Sequence, residues 1–133
     1  MSRAKNLANF QTTITDGTTS VATSFVTNGC AKAWVNFNGT GTIATRDSIN
    51  VSSLNDDGTG KYDVVLTSAM DNANYAVNTD GFYDTGDGNG QNTISQRRIA
   101  ITTTQFGIRG INPGVPSFAD FNTVNGAING DLA

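Results

Sequence analysis

Residues 30–67 read Cys30-Ala-Lys-Ala-Trp34-Val-Asn-Phe-Asn38-Gly-Thr-Gly-Thr-Ile43-Ala-Thr-Arg-Asp-Ser-Ile49-Asn-Val-Ser-Ser-Leu54-Asn-Asp-Asp-Gly58-Thr-Gly-Lys-Tyr62-Asp-Val-Val-Leu-Thr67. Ala31, Ala33, Val35 and Phe37 share one parity and Lys32, Trp34 and Asn36 the other, the pattern of a strand with two unlike faces. Asn38-Gly39-Thr40-Gly41 interrupts it. Glycine tolerates the positive φ of a tight turn, so the chain can reverse there and resume as a strand near Ile43. A second reversal, residues 55–60, separates Ile49-Asn50-Val51-Ser52 from Tyr62-Asp63-Val64-Val65-Leu66. Alternation on both flanks predicts a hairpin.

The composition agrees. The 133 residues include nineteen Thr, sixteen Asn and fifteen Gly but no Glu and no His, and all eleven acidic residues are Asp. Strong helix formers are scarce, while strand and turn residues abound. The rest of the chain continues in short pieces. Residues 11–28 read as one or two extended strands around Asp16-Gly17, and Tyr75–Thr79 as a strand with Tyr75, Val77 and Thr79 on one side. Ile94–Thr104 and Gln105–Arg109 read as further strands, the second with Phe106 and Ile108 inward. A bend at residues 112–116 leads into a last segment carrying Phe118, Phe121, Val124 and Ile128. About eight short strands with frequent reversals predict an all-β fold, an antiparallel β-sandwich in residues 30–133. Residues 1–29 form an extended N-terminal arm, with a short helix conceivable over residues 3–10.

Several function classes are disfavoured by the residues themselves. The net charge of −3 and the dispersed basic residues give no footprint for nucleic acid. No apolar run is long enough for a membrane span, and the amino terminus has no signal-peptide core, so synthesis in the cytoplasm without membrane insertion is expected. Without His, the nucleophilic triads cannot be assembled. Two aspartates such as Asp56 and Asp80 could face a glycosidic bond, but aspartates beside glycine are turn formers, and no enzyme is expected. The segment from Asp80 to Asn92 reads as a surface loop. Asp84, Asp87 and Asn89 within it could offer oxygen ligands, yet the spacing does not fit a calcium loop, and Arg98 stands where a closing carboxylate would fall. No metal and no cofactor are expected. The lone Cys30 reads as a small buried hydrophobe.

Aromatic residues are more informative. Trp34 lies on the parity opposite Val35 and Phe37, which predicts that it covers the other face of its sheet or a subunit seam. Phe82 and Tyr83 sit in a polar loop where rings can stack on sugars or wedge into a partner. With the neighbouring Asp84, Asp87 and Asn89 they are the candidates for receptor contact. In the arm, Leu7 and Phe10 are apolar anchors preceded by Arg3 and Lys5, a segment suited to ordering against a partner.

The run Lys32–Leu54, followed by Asp57-Gly58-Thr59-Gly60-Lys61-Tyr62 and Ala69-Met70-Asp71-Asn72-Ala73-Asn74-Tyr75, resembles a domain at the carboxyl end of bacteriophage tail-fibre and related virion proteins, many from marine phages. The resemblance covers residues 30–79. Arg3–Ala8 resembles a segment preceding such domains, and Phe106-Gly107-Ile108-Arg109 with Asp120-Phe121 is a looser echo of the family's last strands. The resemblance implies a β-rich, homotrimeric domain on the virion surface, without cofactor. On it we expect a small tail fibre or fibre tip that contacts a host surface glycan or protein, attached to another virion protein through Arg3, Lys5, Leu7 and Phe10. Fibre proteins usually carry a shaft before the tip, whereas here the motif is reached about thirty residues from Met1. The alternative expectation is therefore a capsid decoration (cement) or head-fibre protein without receptor binding.

Overall fold

A computed structural model of the chain describes residues 13–15, 17–82, 94–97, 101–112 and 117–133, and divides it into two units, Met1–Cys30 and Ala31–Ala133. In the first unit, β1 (Thr13–Thr15) pairs antiparallel with β2 (Ser20–Ala22), with Gly17 of the connection at φ +105°. The chain then forms a seven-residue helix, α1 (Thr23–Gly29), where the sequence reads as extended strand. The helix buries no residue, and Thr27 Oγ1 donates to the Thr23 carbonyl one turn back. β-prone residues conceal so short a helix, which lacks the apolar stripe that marks longer ones. The arm is thus a hairpin and a helix where it is described, not an extended peptide. Cys30 is exposed, contrary to its reading as a buried hydrophobe. It follows the helix and lies before the first core strand, so parity with Ala33 does not apply to it.

The second unit holds two antiparallel sheets. One contains β3 (Ala33–Asn38), β4 (Ala44–Ile49), β7 (Ala76–Phe82) and β11 (Thr123–Asn129) in the order β4-β3-β11-β7. The other contains β5 (Val51–Asp56), β6 (Lys61–Leu66), β9 (Gln105–Asn112) and β10 (Ser117–Phe118) in the order β10-β9-β6-β5, with β8 (Ile94–Arg97) also paired to β9. All-β architecture with antiparallel pairing is as the sequence predicts. Residues 30–67 supply strands to both sheets, and the reversals are where the turn residues put them. Asn38 closes the first, its Oδ1 accepting from Thr40 Oγ1 (2.8 Å) and its Nδ2 donating to the Thr40 carbonyl (2.9 Å). Asp56 Oδ1 accepts from the Gly58 amide (2.9 Å) in the second.

Ile49-Asn50-Val51-Ser52 is not one strand. Asn50 adopts φ +56°, the one positive φ among described non-glycine residues, and there the chain leaves the first sheet and enters the second. Its side chain holds the corner: Nδ2 donates to the Lys32 and Ser68 carbonyls, and Oδ1 accepts from the Ser68 amide at 2.7 Å. Asparagine tolerates this region better than branched residues. The strand read over Ile94–Thr104 is also shorter. Among the described residues β8 ends at Arg97, and Thr102–Thr104 bend, the Thr102 amide donating to the Gln105 carbonyl. The last segment contains the longer strand β11, which completes the first sheet.

One apolar cluster is shared by the two sheets. Ala33, Val35 and Phe37 of β3 and Val124 and Ile128 of β11 are buried with Tyr62, Val64 and Leu66 of β6 and Phe106 and Ile108 of β9. Phe37 meets Tyr62 edge-on, ring centroids 5.2 Å apart and planes at 77°, a favoured aromatic geometry. Gly126 of β11 packs against β9, where an added Cβ would stand 2.8 Å from Ile108 Cδ1 and 2.9 Å from Phe106 Cε2. The Tyr62 hydroxyl, 3.0 Å from both the Gly39 carbonyl and Asp120 Oδ1, links this cluster to three connections. Asp120 Oδ1 also accepts from the amide of Gly60 (2.6 Å), which at φ +63° is packed against the Gly110 and Ala119 backbone.

Candidate functional site

Alternation that sends Val35, Gly126 and Thr79 inward sends their neighbours to the outer face of the sheet β4-β3-β11-β7. The registers align these neighbours in rungs. Trp34 of β3 stands opposite Ala127 of β11, which stands opposite Asn78 of β7; one rung on, Asn36 faces Asn125, which faces Asp80. Neighbouring strands are about 4.8 Å apart, so Trp34 and Asn78 are roughly 10 Å apart across an alanine that fills little of the gap. The result is an open recess of about 420 Å³, with Trp34 on one side and Asn78 and Asp80 on the other. The tryptophan is half-buried, and Ile49 of β4, its other cross-strand neighbour, is 54 % exposed.

The polar rung is ordered by a chain of donors. Arg46 of β4 donates through Nη1 to Asn36 Oδ1 (3.4 Å) and the Phe37 carbonyl (3.1 Å), and through Nη2 to the Asn122 carbonyl. These bonds fall where the β3–β4 register shifts between Asn36 and Phe37. A guanidinium only donates, so it fixes which end of the Asn36 amide is oxygen. Asn36 Nδ2 then donates to Asn125 Oδ1 at 2.6 Å. Asn125 Nδ2 meets no acceptor among the described residues and stands beside the exposed Asp80. The face thus offers an aromatic ring, an amide donor and a carboxylate acceptor around one recess.

Of the residues singled out for receptor contact, Phe82 ends β7 opposite Thr123 and is 38 % exposed. The loop therefore starts later than Asp80: Asp80, Gly81 and Phe82 are paired strand, because β11 extends far enough to receive them. Tyr83, Asp84, Asp87 and Asn89 lie outside the described residues, as do Arg3, Lys5, Leu7 and Phe10. Asp56 and Asp80 belong to different sheets, and Asp56 serves the β5–β6 turn. Comparison with protein-family models, curated proteins and solved structures finds no match.

Asn125 and Ala127 carry no signal individually. The run Thr123–Asn129 alternates, with Val124 and Ile128 inward, and that parity already assigns Asn125, Ala127 and Asn129 outward. What it does not disclose is that β11, the last strand in the chain, lies between β3 and β7, so that Asn125 meets Asn36.

Two phenols are buried in the core. Burial, reinforced by the Asp120 carboxylate, pushes the Tyr62 hydroxyl far above its ordinary value. Burial likewise pushes Tyr75 to about 12, with its hydroxyl 2.6 Å from the Gln105 carbonyl. Both are neutral near neutral pH and act as hydrogen-bonding packing groups.

Proposed function

We propose that the chain is a bacteriophage virion structural protein, a small tail fibre or fibre tip whose β-sandwich assembles as a homotrimer and contacts the host surface. The observation that carries the reading is the outward Trp34 face: an aromatic ring and an ordered amide–carboxylate rung on a rigid strand scaffold. Receptor-contact residues held on strands keep their geometry better than residues on loops. The resemblance of residues 30–79 to virion surface domains supports the same setting. Phe82, at the end of the same sheet, would join the contact surface, with Tyr83, Asp84, Asp87 and Asn89 as the further receptor-contact candidates.

Residues 1–29 serve as the docking arm. Phe25 is 76 % exposed, Val21 and Val26 are exposed beside it, and α1 buries none of its residues. Such an apolar surface on a small hairpin and helix favours a protein partner, here another virion protein; Arg3, Lys5, Leu7 and Phe10 would join that interface. Threefold assembly would supplement the single core by burying Phe118 of the other sheet, which is exposed in one chain. The reading is tested by adding purified chain to host cells before phage. Loss of adsorption in proportion to chain concentration is expected. Unchanged adsorption, with particles lacking the chain still infectious but fragile, would assign it to capsid decoration instead.

A further inference from the structure

We propose that the recess between Trp34 and Asn78 is a binding site for the terminal mono- or disaccharide unit of an uncharged glycan. This gives the ligand class for the host-contact face proposed above and rests on that reading for its biological setting. A pyranose has an apolar face of C–H groups and a rim of hydroxyls. The recess is built the same way, with an indole at one side and, one rung away, the Asn125 amide and the Asp80 carboxylate. Hydroxyls both donate and accept, so they satisfy Asn125 Nδ2 and Asp80 together, while stacking on Trp34 buries the apolar face. At about 420 Å³ the recess is near the small end of ligand sites, roughly 300–1,000 Å³, which suits one or two rings rather than a long chain.

Charge selects within this class. Asp80 is the one charged side chain lining the recess, and the nearby Arg46 is directed to Asn36, Phe37 and Asn122 oxygens. An anionic sugar would meet a carboxylate, and no cation among the described residues lines the recess. The same residues argue against a seam between copies of this chain. Interface cores are depleted of charge, and a flat partner would leave the recess empty while desolvating Asp80 and the amides.

Trp34 is the chain's single tryptophan, so its fluorescence reports this site alone. The full chain is titrated at millimolar concentrations with glucose, galactose, mannose, N-acetylglucosamine, lactose, maltose and chitobiose, and with N-acetylneuraminic acid and glucuronic acid. The expected result is a saturable emission shift with at least one neutral sugar. It should fall at least tenfold in apparent affinity in Asp80→Ala, with an unchanged melting temperature, and in Asn125→Ala, which also loses the bond from Asn36 and melts a few degrees lower, and be absent with both acids. No saturable shift with any sugar would overturn the proposal, as would equal or tighter binding of the acids. An emission shift that follows protein concentration without sugar would overturn it in favour of a seam. Adsorption blocking separates the two readings. A chain that binds sugar but does not block adsorption refutes the host-contact reading and leaves the saccharide site standing. A chain that blocks adsorption as well after Asp80→Ala and binds no sugar refutes the saccharide site alone.

Discussion

Tyr62→Phe removes one oxygen atom at the point where the core meets three connections. The hydroxyl has one proton and two acceptors, the Gly39 carbonyl and Asp120 Oδ1, each at 3.0 Å. Its ring is fully buried, so phenylalanine keeps the apolar contacts and the edge-on meeting with Phe37. The lost interaction is therefore one hydrogen bond with a carboxylate among its acceptors, worth about 1.5–3 kcal/mol. Asp120 keeps the Gly60 amide at 2.6 Å, so the loss should stay near 2 kcal/mol rather than reach the cost of a stranded charge. For a chain of this size that corresponds to a fall of roughly 8 °C in melting temperature. Urea unfolding followed by tyrosine and tryptophan fluorescence gives the free energy, with an unchanged m-value showing that the folded state is intact. Pairing it with Asp120→Asn in a double-mutant cycle should reveal coupling of about 1 kcal/mol or more. A Tyr62→Phe chain within about 0.5 kcal/mol of the parent, or strict additivity in the cycle, would refute the linkage.

Gly126→Val should destabilise by about 1–3 kcal/mol, measured by urea unfolding, because its Cβ would enter the contact with Ile108 and Phe106. Asn50→Gly keeps the corner's φ but loses the bonds to Lys32 and Ser68. It should cost about 2 kcal/mol, and Asn50→Val more, since a branched side chain also resists φ +56°. Alkaline pH should unfold the protein. The raised Tyr62 and Tyr75 values mean that the unfolded chain loses its phenolic protons first, so stability is full below pH ~10 and falls above it, by up to about 1.4 kcal/mol per pH unit for each tyrosine. The Tyr75 contribution levels off near pH 12 while that of Tyr62 continues beyond; in Tyr62→Phe the slope of stability against pH should be about half.

The strands of residues 30–67 were legible because each has one buried face, and a period of two is what burial of one face imposes on sequence. The two turns were legible because Asn38, Asp56 and the glycines act locally. Asn50 escaped for the opposite reason. A corner between sheets is held by Lys32 and Ser68, both eighteen residues away, and leaves the flanking alternation nearly undisturbed. Helix α1 escaped because it buries nothing and so imprints no period. The outer face was half legible: parity put Trp34 and Asn36 on it, but their alignment with Asn125 and Asp80 is set by long-range pairing of the last strand, which no local pattern records.

The central claim, that this chain stands on the outside of a virion and meets the host there, is tested most directly by imaging. Cryo-electron microscopy of the particle, with the chain located by a tag at its carboxyl end, should show threefold-clustered density at the tip or flank of the tail, with residues 1–29 toward the particle and the Trp34 face outward. Purified particles that do not contain the chain, or contain it with the Trp34 face buried against the particle, would contradict the account.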